Sequence, residues 1–395
     1  MLYNDYLQVG GERLSVEAEV CGLRNSGHDV LQLVQHNDAL ASGGRLSNAR
    51  AIVRPPRDGN IGDRIATALR NFRPDVVHCQ NLFPLLGAAA IRALEEAGVP
   101  YVRHIRNYRL RCLSADLWRD GRPCQDCRSS AAGISGVLHG CYKSSRIASA
   151  GAAAYSRLEQ RASQLYPPDA YILVSRSMIA QLSTVLDPRA SICVKPNSIA
   201  ADTCHSGGEQ FLFAGRLTDE KGWQLFADVA TELPEQRFVI VGDGPGAPRL
   251  ATLIDSTANL EWVREMENDA LLRAVSKSRA VLVPSAWEEP FGRVAAESLG
   301  VGTPCLVSAH GGCRTSSAGC LRTSSWRTTV CPPGSPLSST CPRSRLTTTR
   351  RCAADATAWP RASSHRRRRR RSSLRSTIRC WLLRRGVNEG ELQTL

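Results

Sequence analysis

Short apolar runs alternate with amphipathic stretches along the first 312 residues of the chain. The runs are rich in Val, Ile and Leu and end in turn residues: DVVHCQ, GVPYVRHI, AYILVS, QFLFAG, RFVIVGDG, RAVLVPS and TPCLVS. Stretches such as IGDRIATALRNF and LGAAAIRALEEA precede them and carry the periodicity of amphipathic helices. Buried strands separated by helices are typical of βαβ units around a parallel sheet. The pattern therefore predicts an α/β fold.

A segment rich in Pro, Asn, Ser and Gly interrupts this alternation near the middle of the chain. It reads SICVKPNSIAADTCHSGGEQ, and we place an interdomain hinge in it at residues 196–208. The division predicts two Rossmann-like domains with parallel sheets. The first spans residues 1–195 and contains a Cys-rich insertion at residues 108–146, and the second spans residues 196–312.

The periodicity stops after Gly312, and the charge changes at the same point. Residues 1–312 are neutral, with 33 Lys and Arg against 33 Asp and Glu, whereas residues 313–395 hold 18 Arg, no Lys and 3 acidic residues. All of the formal net charge of +15 therefore lies in this last stretch. Taken at face value, the stretch is an Arg-rich disordered tail that binds RNA or acidic lipid. The second domain is then incomplete, because it is truncated at Gly312.

A shift of the reading frame offers a second interpretation of the tail. If reading starts at the third base of each codon and GC-rich codons are assigned, GCRTSSAGCLRTSS becomes LPDVVGGVPPDVI, and RRRSSLRSTIRCWL becomes AALQLALYDTVLA. The wobble bases are chosen, but the other two bases of each shifted codon follow from the sequence. We prefer this hypothesis. It makes the net charge a property of the gene rather than a sign of a nucleic-acid partner.

Features of targeting sequences are missing from the chain as given. No apolar run approaches the roughly 20 residues that a membrane span requires, and the start, MLYNDYLQVGGERL, lacks the charged and apolar regions of a signal peptide. These observations predict a cytoplasmic protein. The 15 Cys are then better interpreted as thiols or metal ligands than as a disulfide framework.

Four predicted strand ends carry residues that suit an anionic ligand. FLFAGRLTDEKG places Arg216 and Lys221 just after a strand, where two cations can hold a diphosphate. FVIVGDGPG supplies Gly244 among three glycines, which permits close approach of the backbone. YLQVGGERL places Gly11 before a helix, and VPSAWEEPFG ends a strand with two acidic residues. Ligands of open α/β sheets bind at such carboxyl ends of strands.

Two of the acidic residues, Glu289 and Glu297, are eight positions apart. The first lies in the loop, where it can face a reacting centre. The second lies in the following helix, where it can accept hydrogen bonds from sugar or ribose hydroxyls. The alternative is structural: Glu289 caps the helix and Glu297 pairs with Arg293 at i,i+4.

The motifs GRLTDEKG, VGDGPG and PSAWEEPFGRVAAESLGVGTPCLVSAHGG, taken together and in this order, resemble the retaining GT-B glycosyltransferases of the group 1 (family four) type. The similarity covers most of residues 5–312. It implies a nucleotide-sugar donor, UDP- or GDP-linked, and no cofactor for catalysis. It also implies transfer with retention, in which the leaving phosphate helps to deprotonate the acceptor. A glycosidase-type carboxylate pair does not explain Arg216 and Lys221.

The resemblance assigns roles to the residues of the second domain. Arg216 and Lys221 would neutralise the donor diphosphate, and Glu297 would bind the ribose hydroxyls. Glu289 would contact the transferred sugar, with help from backbone N–H groups around Phe291 and Gly292.

The resemblance also assigns roles in the first domain. Gly11 would let the N-terminal loop approach the phosphates and the acceptor. His104, in VRHIRNYR, would be an active-site histidine that faces the sugar. The alternative for His104 is a strand-end histidine held by its neighbours.

The Cys-rich insertion contains a Cys-x2-Cys pair, Cys124 and Cys127, flanked by single cysteines at Cys112 and Cys141. This spacing suits a tetrahedral zinc knuckle that orders a loop above the acceptor side, with His139 as an alternative fourth ligand. Reduced, uncoordinated thiols are the other interpretation. The segment also resembles a cysteine-bearing insertion of some bacterial members of the family.

The function that follows is transfer of a sugar to a glycan or lipid-linked acceptor in bacterial surface polysaccharide synthesis. Peripheral association with the inner face of the membrane fits such an acceptor, and we expect no specific nucleic acid as a partner. The missing C-terminal elements make this chain unstable or inactive. Two rival functions are a GT-B nucleotide-sugar epimerase-like enzyme and a non-enzymatic nucleic-acid binder that acts through the Arg-rich tail.

Overall fold

Helices and strands alternate through the described part of the chain in a computed structural model, which covers residues 1–5, 11–36, 61–128, 133–199, 204–308, 311–316 and 327–329. The helices are α1 (Gly11–Asn25), α2 (Ile61–Phe72), α3 (Gly87–Ala97), α4 (Ile134–Leu138), α5 (Arg146–Leu165), α6 (Ser177–Leu182), α7 (Trp223–Glu232), α8 (Ala247–Ile254), α9 (Asn268–Ser276), α10 (Arg293–Gly300) and α11 (Gly311–Ser316).

The strands build two six-stranded sheets and one short hairpin. They are β1 (Leu2–Asn4), β2 (Leu33–Gln35), β3 (Val77–Cys79), β4 (Tyr101–Ile105), β5 (Trp118–Arg119), β6 (Arg122–Pro123), β7 (Ala170–Leu173), β8 (Ser191–Val194), β9 (Gln210–Ala214), β10 (Arg237–Val241), β11 (Leu260–Val263), β12 (Ala280–Val283), β13 (Cys305–Val307) and β14 (Arg327–Thr329).

The first sheet has the order β2-β1-β3-β4-β7-β8, and all its pairings are parallel. Helices α2 and α3 cover it with aliphatic side chains: Ile65, Ile91 and Leu94 are each 1% exposed or less, and Tyr101 of β4 is fully buried among them. Because helices cover the strands, the strands need apolar residues at successive positions. This is why DVVHCQ and AYILVS were recognisable as strands.

The second sheet has the order β11-β10-β9-β12-β13-β14 and is parallel except for its last strand. Trp223 and Phe226 of α7 are buried against Phe238 of β10. The predicted α/β class with two parallel sheets is thus confirmed. The predicted hinge falls between β8 and β9, and residues 200–203 of it lie outside the described residues.

Two elements continue beyond Gly312, where the sequence pattern led us to end the second domain. Helix α11 extends to Ser316, and Cys313 at its start is 1% exposed. Strand β14 pairs antiparallel with β13, with Thr329 opposite Cys305. An edge strand of three residues leaves no periodicity to detect, so the pattern could not predict it. The other residues of the predicted tail, 317–326 and 330–395, lie outside the described residues.

The Cys-rich insertion contains little regular structure in its described residues. Strands β5 and β6 form a two-stranded hairpin, a single 3-10 turn covers Asp126–Arg128, and α4 has five residues. Residues 129–132 within the insertion are not described. As for membrane spans, no helix in the described ranges combines the length and the apolar character that crossing a bilayer demands.

Candidate functional site

The loops that follow β9 and β10 are hydrogen-bonded to each other at one end of the second sheet. Leu217 N donates to Asp243 O (2.9 Å), and Gly246 N donates to Leu217 O (2.8 Å). A side chain at Gly244 would bring a Cβ atom to 2.9 Å from Leu217 N, so only glycine fits this contact. Gly244 therefore shapes the strand-end loop through packing. Its predicted part in donor binding stays a prediction.

Arg216 and Lys221, the two predicted diphosphate cations, lie in the loop after β9. Lys221 is the last residue of the 3-10 turn Asp219–Lys221, and Arg216 precedes this turn. Arg216 is 62% exposed and contacts Glu220 at 3.3 Å. Lys221 is 21% exposed and points inward to Glu289. Gly222, which has a left-handed φ of 71°, turns the chain into α7 and leaves no room for a Cβ beside Pro284 O. One cation thus remains accessible while the other is held inside.

Glu289 is a buried carboxylate with three hydrogen-bonding or charged neighbours. Lys221 Nζ donates to its Oε1 at 2.6 Å, and Ser285 Oγ donates to the same atom at 2.8 Å. The Lys221 ammonium also lies 5.1 Å from the centre of the Trp287 ring. Burial raises the pKa of Glu289, but Lys221, Ser285 and Trp287 together outweigh burial and bring the pKa below its ordinary value. Glu289 is therefore ionised at neutral pH.

The structural alternative for Glu289, capping of the helix, is not observed in the described residues, because the N-cap of α10 is Gly292 and no side-chain cap hydrogen bond is present. Gly292 has φ +79°, and a Cβ there would collide with Cys313 Sγ. Gly311, with φ +57°, lies so close to the Glu289 backbone that a Cβ would overlap it. The Gly-Gly loop at α11 therefore packs directly on the loop that carries Glu289.

Glu297 lies on α10 and is 3% exposed. Arg293 Nε contacts its Oε1 at 2.6 Å, so the i,i+4 pair named as the structural alternative is present. Burial raises the pKa of Glu297, and the charge and hydrogen bond of Arg293 only partly oppose that rise. Arg293 Nη1 also donates to Gly11 O and to Ser15 Oγ, both at 3.2 Å. Arg293 thereby joins the second sheet's helix α10 to α1 of the first.

Gly11 is the first residue of α1, and its contact is with Arg293. A Cβ at this position would lie 2.8 Å from Arg293 Cδ, so the absence of a side chain permits the approach of α10. Gly11 is predicted to let the N-terminal loop approach the phosphates and the acceptor, and this loop precedes Gly11. Residues 6–10 of that loop lie outside the described residues.

Phe291 belongs to an apolar cluster that both sheets share. It is 7% exposed and packs with Trp287 against Tyr108 and Tyr171 of the first-sheet region. Ser175 Oγ, after β7, donates to Pro290 O. The loop that carries Glu289 and leads into α10 thus contacts both halves of the described chain.

His104 lies on β4, 2% exposed, in a charged cluster of the first sheet. Its Nδ1 is 3.5 Å from Glu19 Oε1 and 3.3 Å from Arg106 Nη2, and its ring stacks on His78 at 5.4 Å. Lys195 also contacts Glu19. Burial and the Arg106 charge bring the pKa of His104 well below its ordinary value, so the imidazole is neutral. Its Nε2 has no hydrogen-bond partner among the residues that the structure describes.

This cluster also contains the one group of three potential metal ligands whose ligand atoms lie within 4.8 Å of each other in the described ranges: Glu19, His78 and His104. Arg106 and Lys195 contact the same Glu19 oxygen that a cation would use. Two fixed positive charges at that atom disfavour a metal ion. The group is therefore an ion-pair network that holds His104 in place.

A cavity lies on the open side of His104. His104, Glu12, Asn81, Arg106 and Arg109 line it. Glu12 follows Gly11, so the cavity adjoins the point where α1 meets Arg293. Burial raises the pKa of Glu12, with the charges of Arg106 and Arg109 opposing. Sequence reasoning missed Glu12, Asn81 and Arg109. Only the adjacency of Glu12 to the strand-end glycines offered a signal.

Asp116, from the Cys-rich insertion, is a second acidic residue that sequence reasoning missed. Burial raises its pKa, and the opposing charges that act on it are those of Arg216 and then Arg109 and Lys221, with Glu220 adding to the rise. An insertion residue of the first domain thus lies within electrostatic reach of the predicted diphosphate cations. No sequence motif marked it.

The structure unites some of the predicted site residues and separates others. Lys221 contacts Glu289 directly, and Glu297 reaches Gly11 through Arg293. Within the described ranges, no hydrogen bond or ion pair joins His104 to Glu289. All four predicted zinc ligands line one small cavity in the insertion: Cys112, Cys124, Cys127 and Cys141. The alternative ligand His139 does not line this cavity.

Two sheets of mainly parallel strands, with a cation and a carboxylate paired at strand ends of the second, are typical of the GT-B class. Family comparisons agree: "Glycosyl transferase 4-like domain" matches residues 10–198, and "Glycosyl transferases group 1" matches residues 195–316. Together these matches cover most of the described chain. The chain belongs to the group 1 glycosyltransferases, as its motifs predicted.

Two curated relatives extend this result. The chain is 26% identical over 258 residues to the 2-deoxystreptamine N-acetyl-D-glucosaminyltransferase of Streptomyces fradiae, covering 62% of this chain and 57% of that protein. It is 35% identical over 112 residues to the D-inositol 3-phosphate glycosyltransferase of Xylanimonas cellulosilytica, covering 26% of this chain and 27% of that protein. The alignments thus span less than two thirds of either relative.

A solved structure shares the fold. The HepE protein of Anabaena, in complex with UDP and glucose, superimposes with a TM-score of 0.50 at 14% identity, over 80% of this chain and 82% of that one. At this identity the similarity concerns the fold alone.

Proposed function

We propose that the protein is a retaining glycosyltransferase. It transfers a sugar from a UDP- or GDP-linked donor to a glycan or lipid-linked acceptor in bacterial surface polysaccharide synthesis. The observation that carries the proposal is the buried Lys221–Glu289 pair, 2.6 Å apart, at the strand end where three family motifs converge. The family membership supports it, as do the glycosyltransferase names of both curated relatives.

Lys221 and Arg216 are proposed to bind the donor diphosphate. Its charge grows as the bond to the sugar breaks, so fixed cations beside it lower the barrier. Lys221 is oriented in advance by Glu289 and Trp287. Arg216, 62% exposed, is free to close on the phosphates from the solvent side. No protein general base is required, because the leaving phosphate itself takes the acceptor proton. No protein nucleophile is required either, because the acceptor hydroxyl attacks the anomeric carbon on the same face from which the phosphate leaves, which retains the configuration.

Glu289 is proposed to act as a carboxylate on the sugar side. Its lowered pKa keeps it ionised, so it accepts hydrogen bonds from sugar hydroxyls and stabilises positive charge at the anomeric carbon. It does not serve as a general acid. The N–H groups around Phe291 and Gly292 lie at the start of α10, where the helix dipole also favours the departing anion.

Glu297 is proposed to accept hydrogen bonds from the ribose hydroxyls. Arg293 holds the carboxylate and is itself anchored to Gly11 and Ser15. The glycine at position 11 and Gly244 in the other loop allow the backbone to approach closely. The donor would therefore bind where the N-terminus of α1 meets α10.

His104 and the adjoining cavity are proposed as the acceptor side. The unpaired, buried Nε2 of His104 is the observation that supports a ligand there, since such an atom is costly unless something bonds to it. Because the imidazole is neutral, it can either donate or accept one hydrogen bond at Nε2. Glu12, Asn81 and Arg109 offer further polar contacts to hydroxyls.

An exposed groove between α4 and α5 is proposed to bind an anionic membrane surface, which fits a lipid-linked acceptor. Leu138 and Leu158 line it and are 62% and 37% exposed. Arg157 and Arg161 line the same groove. An apolar stripe beside basic side chains is the pattern of a helix lying on acidic lipid. On this basis we propose peripheral association with the inner face of the membrane.

The frameshift hypothesis remains our proposal for residues 313–395. The change in charge and periodicity at Gly312 supports it, and it predicts reduced activity for the present chain. Reading the DNA around codon 312 tests it: an alternative frame that is interrupted by stop codons contradicts it.

The function is tested by donor binding and transfer. Calorimetry with UDP- and GDP-sugars on the 395-residue chain, and transfer assays on a chain with the alternative frame restored, should show use of a nucleotide sugar. Lys221→Ala and Glu289→Gln should each lower transfer at least 100-fold, since each removes transition-state charge stabilisation of about 3 kcal/mol. The exposed residues Lys277 and Glu261 provide matched controls, Lys277→Ala and Glu261→Gln.

Two outcomes contradict the proposal. Unchanged transfer in both site variants refutes the site assignment. Conversion of the donor into its epimer without any acceptor would instead indicate the epimerase-like enzyme.

A further inference from the structure

Four cysteines that are spread over 30 residues of sequence meet around one cavity. Cys112, Cys124, Cys127 and Cys141 all line it. The remaining lining residues include Arg111, Trp118 and Arg119. Chain segments from both sides of the β5–β6 hairpin and from the end of α4 are thus brought together by sulfur-bearing residues.

The segment that contains these thiols has little regular secondary structure to hold its shape. Its regular elements have two, two, three and five residues. Non-glycine residues with left-handed φ angles are concentrated here: Ala115, Leu117, Asp120, Lys143 and Ser144. Such conformations cost free energy and persist only where the surrounding structure enforces them. Short irregular segments of this kind commonly need a disulfide or a metal ion as a staple.

The four thiols line one cavity but are not at bonding distance from a shared ion. No three of the sulfur atoms have all their mutual distances within 4.8 Å. In a tetrahedral site with Zn–S bonds of about 2.3 Å, sulfur atoms are about 3.8 Å apart. Rotation about χ1 moves a sulfur without moving the backbone, so the proposal requires the cysteine side chains to change rotamer when the ion binds.

The charges around the cavity suit a tetrathiolate zinc ion. Four thiolates around Zn²⁺ leave a net charge of about −2. Arg111 and Arg119 line the cavity and offer two positive charges. Arg119 is fixed by Asp126 (2.8 Å) and by Asp120 (3.1 Å). Because these two carboxylates already neutralise Arg119, Arg111 is the residue that can offset part of the negative charge of the cluster at short range.

We propose that Cys112, Cys124, Cys127 and Cys141 bind one structural zinc ion, with four sulfur ligands and no open position. The proposal does not depend on the proposed transferase function. His139 is excluded as the fourth ligand, because it is exposed and Cys141 completes the cavity lining. Binding releases thiol protons, so affinity falls as the pH is lowered.

The metal site adjoins the predicted donor loop. Cys112 packs in the same apolar cluster as Tyr108, Trp287 and Phe291. Its neighbour Arg111 donates to Gln181 O on α6 at 2.8 Å. A zinc ion bound to Cys112 would hold the segment from Tyr108 to Cys112 against the loop that carries Glu289. Its role is positional, since no open coordination site remains for a substrate.

Metal analysis of the full chain purified under reducing conditions tests the proposal. We expect one zinc per chain, and after exchange Co²⁺ should give the intense visible absorption of tetrahedral thiolate cobalt. Cys124→Ser with Cys127→Ser should abolish both signals, whereas Cys21→Ser and Cys204→Ser, exposed cysteines outside the insertion, should leave them intact.

Three results overturn the proposal, and the first does not require any variant to fold. They are wild-type chain without stoichiometric zinc and without a thiolate–cobalt spectrum, zinc retained by the Cys124/Cys127 double variant, and disulfides among the four cysteines found by mass spectrometry in protein handled without reductant. Because the readout is metal content, an inactive enzyme does not affect the result.

Discussion

Replacing Lys221 by Met should destabilise the protein, because the Glu289 carboxylate would stay buried without its cation. The two side chains are 21% and 8% exposed, and their charged atoms are 2.6 Å apart. Removal of one partner of a buried ion pair costs about 3–5 kcal/mol. Lys221 is partly exposed, and Ser285 Oγ still donates to Glu289 at 2.8 Å. The expected loss is therefore about 3 kcal/mol, at the lower end of this range.

A loss of this size is visible in thermal unfolding. For a folding unit of roughly 150–250 residues, 1 kcal/mol shifts Tm by about 2–4 °C, so Lys221→Met should lower Tm by about 6–12 °C at pH 7. Differential scanning calorimetry measures this shift. Lys277→Met is the matched control, because Lys277 is exposed. It should melt within about 1 °C of the wild type.

The pH dependence of this shift follows from the pKa of Glu289. In the wild type that pKa is lowered, so the group's contribution is complete above its unfolded pKa of about 4.3 and is lost as pH falls through the folded pKa. Without Lys221, burial dominates and the pKa rises. Protonation of Glu289 then removes the unpaired buried charge, so the variant is less destabilised as the pH is lowered. The Tm difference should therefore be largest near pH 7 and shrink towards about pH 4.

The Glu289→Gln substitution provides the decisive comparison. Added to Lys221→Met, it removes the isolated charge and should recover part of the lost stability at pH 7. Two results refute the reasoning: a Lys221→Met protein that melts within 2 °C of the wild type, or a double variant that is less stable than Lys221→Met alone. Either would show that the contact is not a buried charge pair.

Three further predictions follow from other contacts. Arg293→Ala should destabilise by about 2 kcal/mol and weaken donor binding in calorimetry, because Glu297 loses its partner and α10 loses its bond to Gly11; equal donor affinity would contradict the ribose-side assignment. Gly292→Ala should lower Tm through a strain of about 1–3 kcal/mol, with partial rescue by Cys313→Ala, and absence of rescue would exclude the Sγ clash. Leu158→Asp should reduce sedimentation of the protein with phosphatidylglycerol vesicles and leave its sedimentation with phosphatidylcholine vesicles unchanged. Leu225→Asp, at a similarly exposed leucine on α7, should leave sedimentation with both kinds of vesicle unchanged. Identical sedimentation of the two leucine variants would contradict the membrane surface.

The elements that sequence reasoning found were those with local signals. The strands β9, β10, β12 and β13 were each visible as apolar runs, because strands covered on both faces need such residues throughout. The loops after them were visible because glycine and charged residues follow at once. Lys221 and Glu289 were therefore both predicted as site residues, each from its own strand end.

Contacts between distant positions could not be predicted in this way. Lys221 and Glu289 are 68 positions apart, and Arg293 and Gly11 are 282 apart. Their meeting depends on how loops of different strands are placed. The surroundings of His104 were hidden for the same reason, since Glu19 comes from α1 and Lys195 follows β8. Strand β14 was hidden because it is short and pairs at the edge.

The two acids of the Glu-x7-Glu motif differ in electrostatic environment although they lie on one short stretch. Glu289 accepts hydrogen bonds from the Lys221 ammonium and the Ser285 hydroxyl. Their effect on its pKa outweighs that of burial, so the pKa is lowered. Glu297 receives one arginine that is shared with Gly11 and Ser15, so burial prevails and its pKa rises. A charged carboxylate is needed where positive charge develops on the sugar, whereas hydrogen bonds to ribose hydroxyls can be made by either protonation state. We infer that the motif separates these two tasks through the partners of its acids, since the acids themselves are identical.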